Sequence, residues 1–215
     1  MSSRVTVTAE DGVRIAGTYE ASSAPRSFAL LLHMMPATKE SYATFQSKLL
    51  AVGISSLAID FRGHGESAGG PDGYQRFSDA LHQSKMKDIE AAVVWLESHG
   101  ATKAAITIIG ASIGANLALQ YAAAHQDIPA AVALSPGLNY RGVLTMPAVQ
   151  GLRRTQRLYL AASRDDAESD AAVEKLAEVS LAKTTVKHFE DAGHGTTLFE
   201  RNPAFMDELL LWIKQ

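Results

Sequence analysis

Cysteine is missing from all 215 positions. A disulfide framework, a thiolate zinc site, an iron–sulfur cluster and a cysteine nucleophile are therefore excluded. A basic excess is missing too: 20 Lys and Arg against 23 Asp and Glu leave a formal net charge of −3. The densest basic spot, Arg153, Arg154 and Arg157, is too small for a phosphate-binding stripe, so neither nucleic acid nor an anionic membrane is expected as a partner. Long hydrophobic runs are also lacking. The stretch Phe28–Leu32 falls far short of the roughly 20 apolar residues that a membrane span requires. Met1–Ser2–Ser3–Arg4 leads straight into alternating residues without a secretory-type apolar segment, and a cytoplasmic protein is expected.

What remains is a globular composition, 47% hydrophobic and 20% charged, at a length that suits one domain over residues 1–215. The chain opens on alternating Val5, Val7 and Val13, Ile15 around Asp11–Gly12, which predicts a hairpin. The pattern then changes. The continuous apolar run 28–32 predicts a strand buried on both faces, and 54–59, 104–109, 130–134 and 158–162 read as further strands. Between them, apolar residues at helical spacing (Tyr42, Phe45, Leu49, Val52; Met86, Ile89, Val93, Leu96) and the Ala- and Leu-rich stretch 113–125 predict helices. Further on, 173–181 reads as a helix, 184–189 alternates like an outer strand, and Asn202–Pro203 starts a final helix through Ile213. Alternating strands and helices predict an α/β fold: a mostly parallel sheet with an antiparallel N-terminal hairpin and helices on both faces.

Gly110–Ala111–Ser112–Ile113–Gly114 lies where a predicted strand meets a predicted helix. In that setting a G-x-S-x-G places the serine on a tight turn with its hydroxyl projecting, and the helix N-terminus behind it favours developing negative charge. A serine hydroxyl needs a base. Of seven histidines, His194 in Asp191–Ala192–Gly193–His194–Gly195 follows the last predicted strand, between glycines that let the chain turn. His82, His99 and His125 belong to helical segments and are expected to be solvated, and His188 is expected to be structural. The base needs an acid to orient it, and Asp165 and Asp166 follow the 158–162 strand. The plain alternatives are a small-residue turn at Ser112, a surface-loop His194, and two acids that merely favour the next helix N-terminus.

The order Ser112, Asp165 or Asp166, His194, each after a strand, resembles the α/β-hydrolase superfamily. So do Leu31–Leu32–His33–Met34–Met35–Pro36 and Asp60–Phe61–Arg62–Gly63–His64–Gly65–Glu66–Ser67, which is similar to that family's D-x-R-G-H-G-x-S loop. The likeness covers nearly the whole chain and is nearest to the small, cap-less esterase and dienelactone-hydrolase-like group. It implies an eight-stranded α/β-hydrolase fold with Ser112 as nucleophile, His194 as base and Asp166 as acid, Asp165 being the runner-up. It implies an oxyanion hole from the backbone N–H groups of Met35 and Ile113, and no metal or organic cofactor. Met34 stands where the family usually has glycine. His33, and the set Arg62, His64 and Ser67, are implied to hold their loops. The interval 135–157 is too short for a lid domain, and Met34, Met146, Leu198 and Phe199 are candidates to line an open pocket. The activity implied is hydrolysis of small to medium carboxylic esters. A thioesterase or acyltransferase with the same residues, or a non-catalytic binding module on the same fold, is the alternative. Relatives that cleave carbon–halogen bonds or epoxides carry Asp where Ser112 stands.

Overall fold

The opening alternation becomes strands β1 (Ser2–Thr8) and β2 (Arg14–Glu20), antiparallel with Val7 opposite Ile15, in a computed structural model that describes residues 2–215. The other strands are β3 (Phe28–Leu32), β4 (Ser55–Ile59), β5 (Ile106–Ala111), β6 (Ala130–Leu134), a short hairpin of β7 (Asn139–Tyr140) and β8 (Val143–Leu144), then β9 (Arg157–Ser163) and β10 (Lys183–Phe189). Eight of them form one sheet in the order β1-β2-β4-β3-β5-β6-β9-β10. It is antiparallel from β1 to β4 and parallel from there to β10. This is the sheet expected from the sequence.

The helices are α1 (Ala43–Ala51), α2 (Asp79–Gln83), α3 (Met86–Ser98), α4 (Ile113–Ala124), α5 (Met146–Gln150), α6 (Ala167–Val179), α7 (Thr197–Arg201) and α8 (Ala204–Ile213). They cover both sheet faces, and the period-two geometry of a strand explains why residues of both parities are buried in the central strands. In β3, Phe28, Leu30 and Leu32 join one core with α3, α4 and α6. Ala29 and Leu31 point the other way, into a second core with α1 and α8. Each buried leucine contributes roughly 1.5–3 kcal/mol relative to exposure.

Three expectations are corrected. β5 begins two residues later than the apolar pattern suggested, because 103–105 form a 3₁₀ turn, and it runs on through Gly110 and Ala111. α6 runs from Ala167 to Val179 rather than over 173–181, with Glu168 and Asp170 favouring its first turn. His82 is not solvated: it is 2% exposed, packed edge-on against Phe77 and 3.2 Å from the Lys85 ammonium.

Between β6 and β9 the chain makes only the β7–β8 hairpin and α5. Asn116 of α4 anchors this excursion, donating to the Val143 carbonyl and accepting from Gly137 N–H. The C-terminal ends of the parallel strands are therefore left without a covering domain. Among the described residues no helix is long and apolar enough to cross a membrane.

Candidate active site

Ser112 sits between β5 and α4 with φ +54° and ψ −121°, in a region that non-glycine residues rarely enter. Two glycines make the turn sterically possible. A Cβ on Gly114 would overlap the Leu32 carbonyl oxygen of β3, and one on Gly110 would overlap the Gly114 carbonyl. The helix therefore starts directly against the sheet, and the serine is raised over its edge. We expect Gly114→Ala to cost roughly 1–3 kcal/mol through overpacking against rigid backbone. Thermal unfolding followed by circular dichroism should show the midpoint falling by about 2–12 °C; an unchanged midpoint would mean that β3 yields freely here.

His194 lies in the loop after β10, between Gly193 at φ +71° and Gly195 at φ +61°. Its Nδ1 is 2.6 Å from Asp166 Oδ2, and its side chain is 38% exposed against 17% for Asp166. Asp166 occupies the N-cap position of α6 but makes no side-chain cap, because its carboxylate is turned to the imidazole. Asp165 points elsewhere. It accepts from Gly193 N–H at 3.1 Å and pairs with Arg201 at 3.4 Å. The Ser163 hydroxyl, and the Gly193 N–H after it, hold the Asp165 carboxyl below the ordinary carboxylate range. The histidine loop is fixed from three sides: Gly195 N–H donates to Ser135 Oγ, Ala192 N–H to Ser163 Oγ, and Thr197 Oγ1 to the His194 carbonyl.

The third segment is the loop after β3. His33 Nδ1 donates to the Met34 carbonyl at 2.8 Å, and its Nε2 accepts from Phe61 N–H at 3.0 Å. Lys39 is 2% exposed and bonds Asp60 twice, through its backbone N–H and its ammonium, and Glu66 once. Met34 has no positive φ and lays its side chain against Gly195. The extra bulk that replaces the family's glycine is thus accommodated where Gly195 has no side chain. Among the described residues, neither Met35 N–H nor Ile113 N–H has an acceptor, and Ser112 Oγ makes no hydrogen bond. For Ile113 this follows from its place in the first turn of α4, where N–H groups have no partner in the helix.

The ends of four strands, β3, β5, β9 and β10, thus carry two open backbone donors, a strained serine and a histidine–carboxylate pair, and the histidine loop meets the serine turn where a Cβ on Gly195 would lie 3.5 Å from Ala111 Cβ. The family model described as serine aminopeptidase, S33, matches residues 23–192. The chain belongs to this hydrolase family. No curated protein sequence matches it significantly. Its fold is similar to that of the Pyrococcus furiosus esterase Pf2001, with a TM-score of 0.80 and 21% identity over 100% of this chain and 92% of that one. It is also similar to a dienelactone hydrolase from Anabaena variabilis (TM-score 0.78, 18% identity, 99% and 94% covered) and to an esterase from Exiguobacterium antarcticum (0.78, 16%, 98% and 99%).

In this S33-family hydrolase the 60–67 loop is held by buried polar contacts. Ser67 Oγ donates to the Asp60 carbonyl and accepts from Ala16 N–H. Arg62 bonds Asp88 and Asp11, and His64 Nδ1 donates to the Arg62 carbonyl. Burial pushes His33 and His64 down to about 3 from 6.5. Both are neutral in the fold while the unfolded chain takes up protons below pH 6.5. Their contribution is therefore complete above pH 6.5 and is lost as pH falls toward 3. At pH 5.5 each costs about 1 kcal/mol. Unfolding midpoints should drop between pH 7.5 and 5.5, and less so in His64→Gln; parallel drops in the two proteins would rule His64 out as a source.

The remaining candidates divide. Met34 is at the site, as described. Leu198 is fully buried in the second core, turned inward by α7, and Phe199, 4% exposed, stacks on Phe45 there and lines a cavity between α1 and α8 with Thr44, Phe45, Pro203 and Met206. Met146 packs at the edge of the first core. Two residues escaped the sequence reading. Ser135, buried at φ +50°, supports Gly195, and Tyr140 places its ring 6.3 Å from that of His194. Leu134–Ser135–Pro136–Gly137 at a strand end was the available signal for the first. Nothing local marked the second.

Proposed function

We propose that this protein is a serine hydrolase of small to medium carboxylic esters, working through an acyl-enzyme on Ser112. The observation that carries this reading is the 2.6 Å His194–Asp166 contact beside a serine on a strained elbow. Ser112 Oγ attacks the ester carbonyl carbon while His194 Nε2 takes its proton. Asp166 holds Nδ1–H and stabilises the imidazolium. The carbonyl oxygen becomes an oxyanion stabilised by the N–H groups of Met35 and Ile113, a reading supported by both lacking an acceptor within the fold. Collapse expels the alcohol, which takes the proton from Nε2–H. Water then repeats the sequence against the acyl-serine and frees the acid. Catalytic hydrogen bonds are often open without substrate and close in the complex, which accommodates the unbonded Ser112 Oγ.

A fluorophosphonate probe tests the reading. Stoichiometric labelling at Ser112, identified by peptide mass mapping, is expected, with none in Ser112→Ala. A wild-type protein that takes up no probe would favour a binding module on a hydrolase fold.

A further inference from the structure

A cavity of about 220 Å³ opens beside Met35, lined also by Tyr74, Gln75, Phe77, His82 and Arg141. The hydrolytic residues above leave it unused. Two features tie it to the reaction site. Met35 forms part of its wall and carries one of the two open backbone donors. Arg141, which also lines it, directly follows Tyr140, whose ring lies edge-on 6.3 Å from that of His194.

Arg141 is the one lining residue with a permanent charge, and it makes no hydrogen bond or ion pair among the described residues. Its place is set by the backbone. It occupies the β7–β8 turn at φ +54°, and the turn is held by Gly142 N–H donating to Asn139 Oδ1 and by Asn116 donating to the Val143 carbonyl. The Tyr140 hydroxyl, 3.1 Å from Ser169 Oγ, fixes the hairpin to α6. The backbone fixes where the side chain starts, and the exposed, unbonded guanidinium offers a planar fork that can meet an anion with two donors.

His82 supplies the second polar wall. Its Nδ1 lies 3.2 Å from Lys85 Nζ. Burial first, then the Lys85 and Arg141 charges, hold His82 at about 4, so it stays a neutral N–H donor at pH 7. Asp79 is the carboxylate that acts on His82 in the opposite sense, and it forms no ion pair with Arg141. Tyr74 and Phe77 line the cavity with aromatic surface. At about 30 Å³ per water-sized group, the volume suits a carboxylate on a short methylene chain and not a long acyl tail.

Resting on the ester-hydrolase reading, we propose that the preferred substrate is an ester bearing a carboxylate a few carbons from the scissile carbonyl, such as a dicarboxylic monoester, with Arg141 binding that carboxylate in this cavity. Arginine and carboxylate can join through two parallel N–H···O bonds.

The test compares 4-nitrophenyl monoesters of glutaric and adipic acid with 4-nitrophenyl pentanoate and hexanoate, with Ser112→Ala as the background to subtract. Wild type should favour the carboxylated ester in kcat/KM by about tenfold or more, and Arg141→Gln should lower that ratio by about 10–100-fold, chiefly through KM. An Arg141→Gln variant that slows both ester types alike, or a wild type that prefers the neutral esters, overturns the proposal and leaves the hydrolase reading standing. Calorimetric titration of monomethyl adipate into Ser112→Ala reads the subsite without turnover. Binding that weakens tenfold or more on adding Arg141→Gln supports it, even if wild type hydrolyses nothing and the hydrolase reading fails. Binding that is absent, or indifferent to Arg141, overturns it.

Discussion

Ser112→Ala should lower kcat/KM for a short-chain 4-nitrophenyl ester by at least roughly 10⁴-fold, to a rate set by the remaining groups. The size of the effect follows from what the serine does alone. His194 and Asp166 act on the reaction through its oxygen, and the Met35 and Ile113 donors meet an oxyanion only after that oxygen has attacked. Without the hydroxyl, the donors can still polarise a bound carbonyl toward water, which leaves a small residual rate. The fold should be unaffected. Alanine at φ +54° bears the same backbone strain as serine, and Ser112 Oγ makes no hydrogen bond to lose. Near-wild-type unfolding with lost turnover is the expected pair of results, measured by circular dichroism and initial rates. Retention of more than a few per cent of the activity would place the nucleophile elsewhere.

Asp166→Asn should cost about 10³–10⁴-fold in kcat, and Asp165→Asn less than about tenfold. The amide is nearly isosteric with the carboxylate, so geometry survives while two properties are lost. Asparagine can donate to Nδ1 and so stabilise the wrong imidazole tautomer, and it carries no charge to balance the imidazolium. Asp165 acts one step away. It holds Gly193 N–H, and its pair with Arg201 is exposed and backed by a second one, Arg201 with Asp191 at 2.6 Å. Exposed pairs of this kind contribute about 0–1 kcal/mol. Rates of the two variants on one ester, at a pH where wild type is fully active, decide the matter. A silent Asp166→Asn beside a crippled Asp165→Asn would exchange the two assignments and imply that the loop rearranges with substrate bound.

The two aspartates also show where local sequence stops being informative. Neighbours in the chain at the start of a helix share nearly every local property. Either is acceptable as a helix N-terminal acid, and only the family resemblance favours Asp166. The choice depends on the direction each side chain takes after β9, and hence on β10 and the histidine loop that folds beside it 28 residues later. Leu198 is removed from any pocket for a related reason: α7 turns it into the core under α1 and α8, while Phe199 lines a cavity between those two helices. His82 is the converse case: a polar residue in a short helical stretch gives no sign of being buried until Phe77 and Lys85 close over it.

Much was nevertheless determined by the sequence alone. Binary patterning specified the sheet, since unbroken apolar runs are stable only as strands covered on both faces and amphipathic intervals only as the helices that cover them. The two glycines around Ser112 specified the elbow, because only residues without a Cβ let α4 start against β3. The absent cysteine left serine as the residue for that turn. The tertiary structure decided what depends on direction and convergence: which aspartate meets His194, where the bulk of Met34 goes, and which charged residue faces the cavity. Arg141 is 106 residues from Met35 by their numbers in the chain, and a single arginine in a loop has no pattern that could announce it. Period and steric exclusion are local properties that a linear chain can record, whereas the meeting of side chains from separate strand ends exists only once the sheet has assembled.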